Sequence, residues 1–115
     1  MKNITYKILA QAKPAANTLV DIYTVPPGKE ALLAHVHIFN CTERPTTFRF
    51  ALSIHGAVVS PQAYLYYDAA IPGNSAAQSP PSGSITLAAG DVVRFSSASG
   101  ECVIHLFGPE GDVGA

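Results

Sequence analysis

Apolar residues in this chain recur at every second position, and no segment shows the three-to-four spacing of an amphipathic helix. That periodicity is the strongest constraint on the fold, because side chains alternate between two faces only in an extended strand. ITYKILAQ (residues 4–11) alternates in this way. TLVDIYTV (18–25) puts Leu19, Tyr23 and Val25 on one face before Pro26-Pro27-Gly28 ends it. EALLAHVHIFN (30–40) reads as one strand with Leu32, Ala34, Val36 and Ile38 on one face. TTFRFALSIH (46–55) sets Phe48, Phe50, Leu52 and Ile54 against Arg49, Ala51, Ser53 and His55. AYLYYD (63–68), SITLAA (84–89), DVVRFSS (91–97) and ECVIHLFG (101–108) complete the set. About eight short strands separated by Gly, Pro, Asn and Ser clusters predict an all-β, antiparallel β-sandwich of one domain over residues 1–115, with jelly-roll topology leading. IPGNSAAQSPP (71–81) reads as the one long loop.

Composition narrows the function. Charged residues make up 13% of the 115 positions while hydrophobic residues make up 48%. A typical soluble domain carries about 25% charged residues, so Ser, Thr, Ala, Gly, Asn and Gln must cover this surface. Such a surface suits a subunit whose flanks are covered by copies of itself or by other proteins. A net charge of −1 with scattered Lys and Arg gives no basis for nucleic-acid binding. The start, MKNITYKILAQ, is too polar for a signal peptide, and no stretch approaches a membrane span, so synthesis in the cytosol is expected. In that setting Cys41 and Cys102 read as reduced thiols, and the sequons at Asn3 and Asn40 carry no glycosylation argument.

The one constellation that invites chemistry is His35-Val36-His37. Two imidazoles at i and i+2 share a strand face and can share an ion. Cupins present such a pair, but the spacings here depart from their motif. Gly28 precedes His35 by six intervening residues, and five separate His37 from Glu43. If the His35 strand forms a hairpin with the next strand, matched apolar faces place Ile38 opposite Phe48 and His37 opposite Arg49, where a cation disfavours a metal. His55 then falls opposite Ala31, too far along to contribute, so a small cupin-like metal protein would use His35, His37 and either Glu43 or His105. The alternative is that Leu33, His35, His37 and Phe39 form a second face covered by another subunit. Leu33→Asp with Phe39→Asp is then expected to leave a folded monomer. Tyr64 and Tyr66, on one face with Tyr67 on the other, read as core or interface, or as a platform for a sugar. No Gly-x-Ser-x-Gly elbow, phosphate-binding glycine loop or suitably spaced carboxylate pair is present, so no enzyme activity and no cofactor are expected.

Two stretches resemble small accessory virion proteins of tailed bacteriophages. DIYTVPPGKEALLAHVHIFNCTERPTTFRFAL is similar to their "YTVP-x-G … N-x-T … T-T-x-R-x-A-L" pattern, through Tyr23, Thr24, Val25, Pro26, Gly28, Asn40, Thr42, Thr46, Thr47 and Arg49. ITLAAGDVVRFSSASGECVIHLFGPE resembles their ending, through Leu87, Ala88, Ala89, Gly90, Asp91, Val92, Arg94, Phe107 and Gly108. The resemblance implies a β-sandwich subunit, often a homotrimer, that decorates or cements the capsid or sits at the neck or tail. Its partners would be itself and other virion structural proteins, with neither nucleic acid nor membrane among them, and its location the virion. His35 and His37 stand where related sequences carry small polar residues.

Overall fold

A computed structural model describes residues 2–79 and 85–114. Among them are ten strands: β1 (Lys2–Ala12), β2 (Val20–Thr24), β3 (Lys29–Leu33), β4 (His35–Asn40), β5 (Thr46–Ser53), β6 (Tyr64–Ile71), β7 (Ala76–Ser79), β8 (Ile85–Leu87), β9 (Val92–Ser97) and β10 (Cys102–Asp112). They form two antiparallel sheets packed face to face as a sandwich. The six-stranded sheet runs β7-β4-β10-β3-β8, with β1 on the other side of β10. The four-stranded sheet runs β2-β9-β5-β6. This is the all-β sandwich that the periodicity predicts, but the strand order does not establish a jelly roll.

The expected count of eight becomes ten for two local reasons. The run from Glu30 to Asn40 is broken at Ala34, whose N–H donates to the Phe107 carbonyl. The break flips the parity. Ala31 and Leu33 point inward before it, and Val36, Ile38 and Asn40 point inward after it. Both halves pair with β10, and Gly108 lies where β10 passes from one to the other. A Cβ at Gly108 would sit 1.8 Å from the Leu32 carbonyl oxygen, so no larger residue fits while this crossing is kept. The second addition is β7, which lies inside the stretch expected to be a loop and pairs with β4. Residues 80–81 of that loop lie outside the described residues.

The core lies between the sheets. Phe48, Phe50, Val93 and Phe95 from the smaller sheet meet Leu33, Val36, Ile38, Ile104 and Leu106 from the larger. Full burial of one such side chain stabilises the fold by about 1.5–3 kcal/mol. Asn40 closes one end of this core. It is fully buried, its amide nitrogen donates to the Arg44 and Pro72 carbonyls at 2.8 and 3.1 Å, and its side-chain oxygen accepts from the Thr42 N–H. The asparagine of the expected sequon is therefore a structural pin for the crossing from β4 to β5. That crossing joins different sheets, so the hairpin assumed from sequence does not form.

Candidate functional site

With β4 and β5 in separate sheets, Arg49 is not the cross-strand neighbour of His37. β4 instead pairs with β10, and the register sets His37 opposite His105 and His35 opposite Phe107. On the far side of β10, Ile8 of β1 lies opposite Phe107 and Gln11 opposite His105. Inward positions of β10 alternate with these, since Cys102, Ile104 and Leu106 are all buried. The outward face of the larger sheet therefore carries ordered rows. One runs His37, His105, Gln11, and the next runs His35, Phe107, Ile8. Phe39 and Val103 form a third.

The rings stand side by side. His35 and His37 have ring centroids 6.3 Å apart, His37 and His105 6.0 Å, His35 and Phe107 5.8 Å, and His105 and Phe107 6.0 Å in a stacked arrangement. His35 is exposed, and His37, His105, Phe39 and Phe107 are half-buried. Among the described residues, the part of this surface formed by these rows contains no charged side chain. Residues 8–12, 35–40, 76–79 and 102–109 hold no Lys, Arg, Asp or Glu. Along β1 the apolar surface continues through Ile8, Tyr6 and Ile4, which are 51, 80 and 47% exposed.

The sequence-predicted residues divide accordingly. His35, His37 and Phe39 share the outward face, as expected. Leu33 does not: the break at Ala34 turns it into the core, where it is fully buried, so it cannot contact another subunit. His105 joins the histidines. Among the described residues, however, no group of three or more His, Cys, Asp or Glu side chains is arranged to hold a metal ion. The ligand sets considered from sequence, with Glu43 or with His105, are therefore not assembled. Both cysteines are free thiols, Cys41 exposed and Cys102 buried, and burial pushes the Cys102 thiol up.

The tyrosines also depart from simple alternation. Pairing of β6 with β5 is interrupted twice, between Phe48 and Phe50 and between Phe50 and Ala51, and Asp68 adopts a positive φ of 53°. These bulges turn Tyr66 inward against Phe48, with ring centroids 5.4 Å apart. Tyr64 and Tyr67 meet on the outward face at 4.9 Å, edge to face. Tyr64 and Tyr66 therefore do not share a face. The Arg49 guanidinium lies 4.0 Å from the Tyr67 ring centre, and its Nε and Nη2 donate to the Asp68 carboxylate at 2.7 and 3.2 Å. That pairing holds the Asp68 carboxyl below the usual carboxylate range. Beside it, Val59, Ser60, Pro61, Tyr64, Leu65 and Tyr67 line an open groove of about 500 Å³.

A third polar group lies at the end of the sandwich. Glu110 accepts from the Tyr23 hydroxyl and from Lys7 Nζ, and Lys29 pairs with Asp112. Its two hydrogen-bond donors lower the Glu110 carboxyl, while burial and the Glu110 carboxylate push the Tyr23 hydroxyl up. These contacts tie β1, β2, β3 and β10 together, which is a structural task.

No family model, no curated protein and no solved structure matches this chain.

Proposed function

We propose that this protein is a non-enzymatic structural subunit of a tailed-bacteriophage particle, a homo-oligomer that decorates or cements the capsid or attaches at the neck or tail. One observation carries the assembly part: where β4, β10 and β1 adjoin, the outward face of the larger sheet presents His35, His37, Phe39, His105, Phe107 and Ile8, with no Lys, Arg, Asp or Glu in residues 8–12, 35–40 and 102–109. The cores of protein interfaces are depleted in charge and rich in aromatic groups, because apolar burial drives association while charges resist desolvation. The virion part is supported by the motif resemblance from Tyr23 to Gly108.

Native mass spectrometry of the purified chain tests the assembly part. A closed oligomer, a trimer above all, is the expected result; a monomer at micromolar concentration contradicts the reading. The virion part is tested by proteomic analysis of density-purified particles, which should contain this chain at a fixed ratio to the shell protein. Its absence from those particles overturns that part.

The groove beside Tyr64 and Tyr67 favours a second reading, a carbohydrate-binding module. Tyr67 is 60% exposed, as a stacking platform for a sugar requires. A glycan array decides it: selective binding that Tyr67→Ala abolishes supports the module, and a blank array removes it.

A further inference from the structure

We infer that the outward face of the smaller sheet binds a neutral oligosaccharide through two adjoining subsites. One sugar ring lies in the tyrosine groove, and its neighbour sends hydroxyls into a polar pocket walled by Ser96. The inference rests on the carbohydrate-binding reading above and adds the second subsite and the class of sugar.

The second subsite is a pocket of about 120 Å³ whose walls include Asn17, Thr47, Arg49, Tyr64, Asp68 and Ser96. Ser96 stands opposite Arg49 in the ladder between β5 and β9, so both side chains project from the outward face. Ser96 is nevertheless only 6% exposed, and its hydroxyl bonds to no other described residue. Arg94, the next outward position on β9, is by contrast bonded to Asp21, Ser53 and the Ala57 carbonyl. Buried polar groups are nearly always hydrogen-bonded, so a hydroxyl left without a partner on a pocket wall calls for one that enters from solvent. The Asn17 amide and the Thr47 hydroxyl likewise bond to no other described residue.

The two subsites share a wall. Tyr64 borders both the pocket and the groove of about 500 Å³, and Arg49 of the pocket lies 4.0 Å from the Tyr67 ring centre. The groove has the size of a small-molecule site, about 300–1,000 Å³, whereas the pocket alone is smaller than that range. The pocket therefore serves as an extension that takes the polar rim of a neighbouring sugar. Tyr67 is still 60% exposed with Arg49 over its ring, which leaves aromatic surface for the C–H face of the sugar in the groove.

The class of ligand follows from the groups on offer. Arg49 and Asp68 neutralise each other through bonds of 2.7 and 3.2 Å, so the pocket presents no net charge. An acidic sugar would meet the Asp68 carboxylate, and a cationic amino sugar would meet the Arg49 guanidinium. The open groups are the Ser96 and Thr47 hydroxyls and the Asn17 amide, which both donate and accept, and the spare lone pairs of Asp68, which accept. Sugar hydroxyls donate and accept as well. A sugar is apolar on its C–H face and hydroxylated at its rim, and this pairing of a tyrosine groove with a polar pocket matches both.

An array of neutral and acidic glycans, from monosaccharides to tetrasaccharides, tests this on the full chain, with isothermal titration calorimetry on the tightest binder. The expected result is selection of neutral oligosaccharides over monosaccharides and over acidic glycans. Ser96→Ala should weaken that binding about fivefold. It should leave the melting temperature unchanged or raised, since it deletes a buried hydroxyl that has no partner. A blank array, or binding that survives Tyr67→Ala, overturns this inference and the module reading together. Binding that Tyr67→Ala abolishes and Ser96→Ala leaves intact overturns the second subsite and keeps the module. A monosaccharide that binds as tightly as its oligomers, or selection of sialylated or uronate-bearing glycans, also overturns the inference. So does a lowered melting temperature in Ser96→Ala, because the hydroxyl would then be bonded within the fold.

Discussion

The two outward faces of the sandwich are built from the same alternating pattern and end in opposite chemistry. On the smaller sheet every arginine is partnered. Arg49 is bidentate to Asp68 and lies over Tyr67, and Arg94 bonds Asp21 at 2.7 Å, Ser53 and the Ala57 carbonyl at 3.0 Å each. On the larger sheet the outward positions of β4 and β10 hold His35, His37, Phe39, His105 and Phe107. A face of ion pairs is complete in water and gains little from a partner, whereas a face of rings without charge gains by being covered. Location in the sandwich is therefore a poor guide to function, and the charge carried by the outward positions is a better one.

The sharpest way to break the comparison is to substitute an inward and an outward residue on either side of the break at Ala34. Leu33→Ala, in the core, should cost about 2–5 kcal/mol in denaturant unfolding, and Leu33→Asp should prevent folding. Phe39→Asp, six residues on and outward, should keep the fold and release the oligomer. An unfolding midpoint for Leu33→Ala equal to that of the parent would refute the assigned parity break at Ala34. Next in size, Gly108→Ala must move the Leu32 carbonyl or the strand that carries it, and a loss of about 3 kcal/mol or more is expected in the same assay.

A smaller effect probes the polar end. Tyr23→Phe removes a hydrogen bond to a charged acceptor and should destabilise by about 1.5–3 kcal/mol. Glu110, Asp112 and Asp68 are all held below their ordinary values by their hydrogen-bond partners. Their contributions are complete above the unfolded carboxylate range, about pH 4, and are lost as pH falls through the lowered values. Acid unfolding should therefore begin below about pH 4. A pH titration followed by circular dichroism checks this, and loss of β structure well above about pH 4 would contradict it. The smallest effect is expected from Arg49→Ala. Its ion pair is exposed and salt-screened, so the melting temperature should hardly move and the oligomer should persist.

Much of this was legible in the sequence, and the failures share a cause. Period-two spacing gave the class, and it placed Phe48 and Phe50 inward and His35, His37 and Phe39 outward correctly. Parity counted across Ala34 failed for Leu33, because one residue between the two strands inverts every position before it relative to those after. Parity counted along Tyr64, Leu65, Tyr66 and Tyr67 failed likewise, because two bulges intervene. The neighbour of His37 was out of reach for another reason. Consecutive strands pair often but not always, and here Asn40 and the turn it pins carry the chain from one sheet to the other. His105 thus comes to His37 from 68 positions away, with no local signal to announce it.

The central claim is that the two faces differ in function, and native mass spectrometry at pH 7.5 on three proteins tests it most directly. The parent chain and Tyr67→Asp, altered on the smaller sheet, should fly as the same closed oligomer, while Phe107→Asp, altered on the larger, should fly as a folded monomer. An oligomer that survives Phe107→Asp but is lost in Tyr67→Asp would contradict the account and move the assembly surface to the tyrosine face.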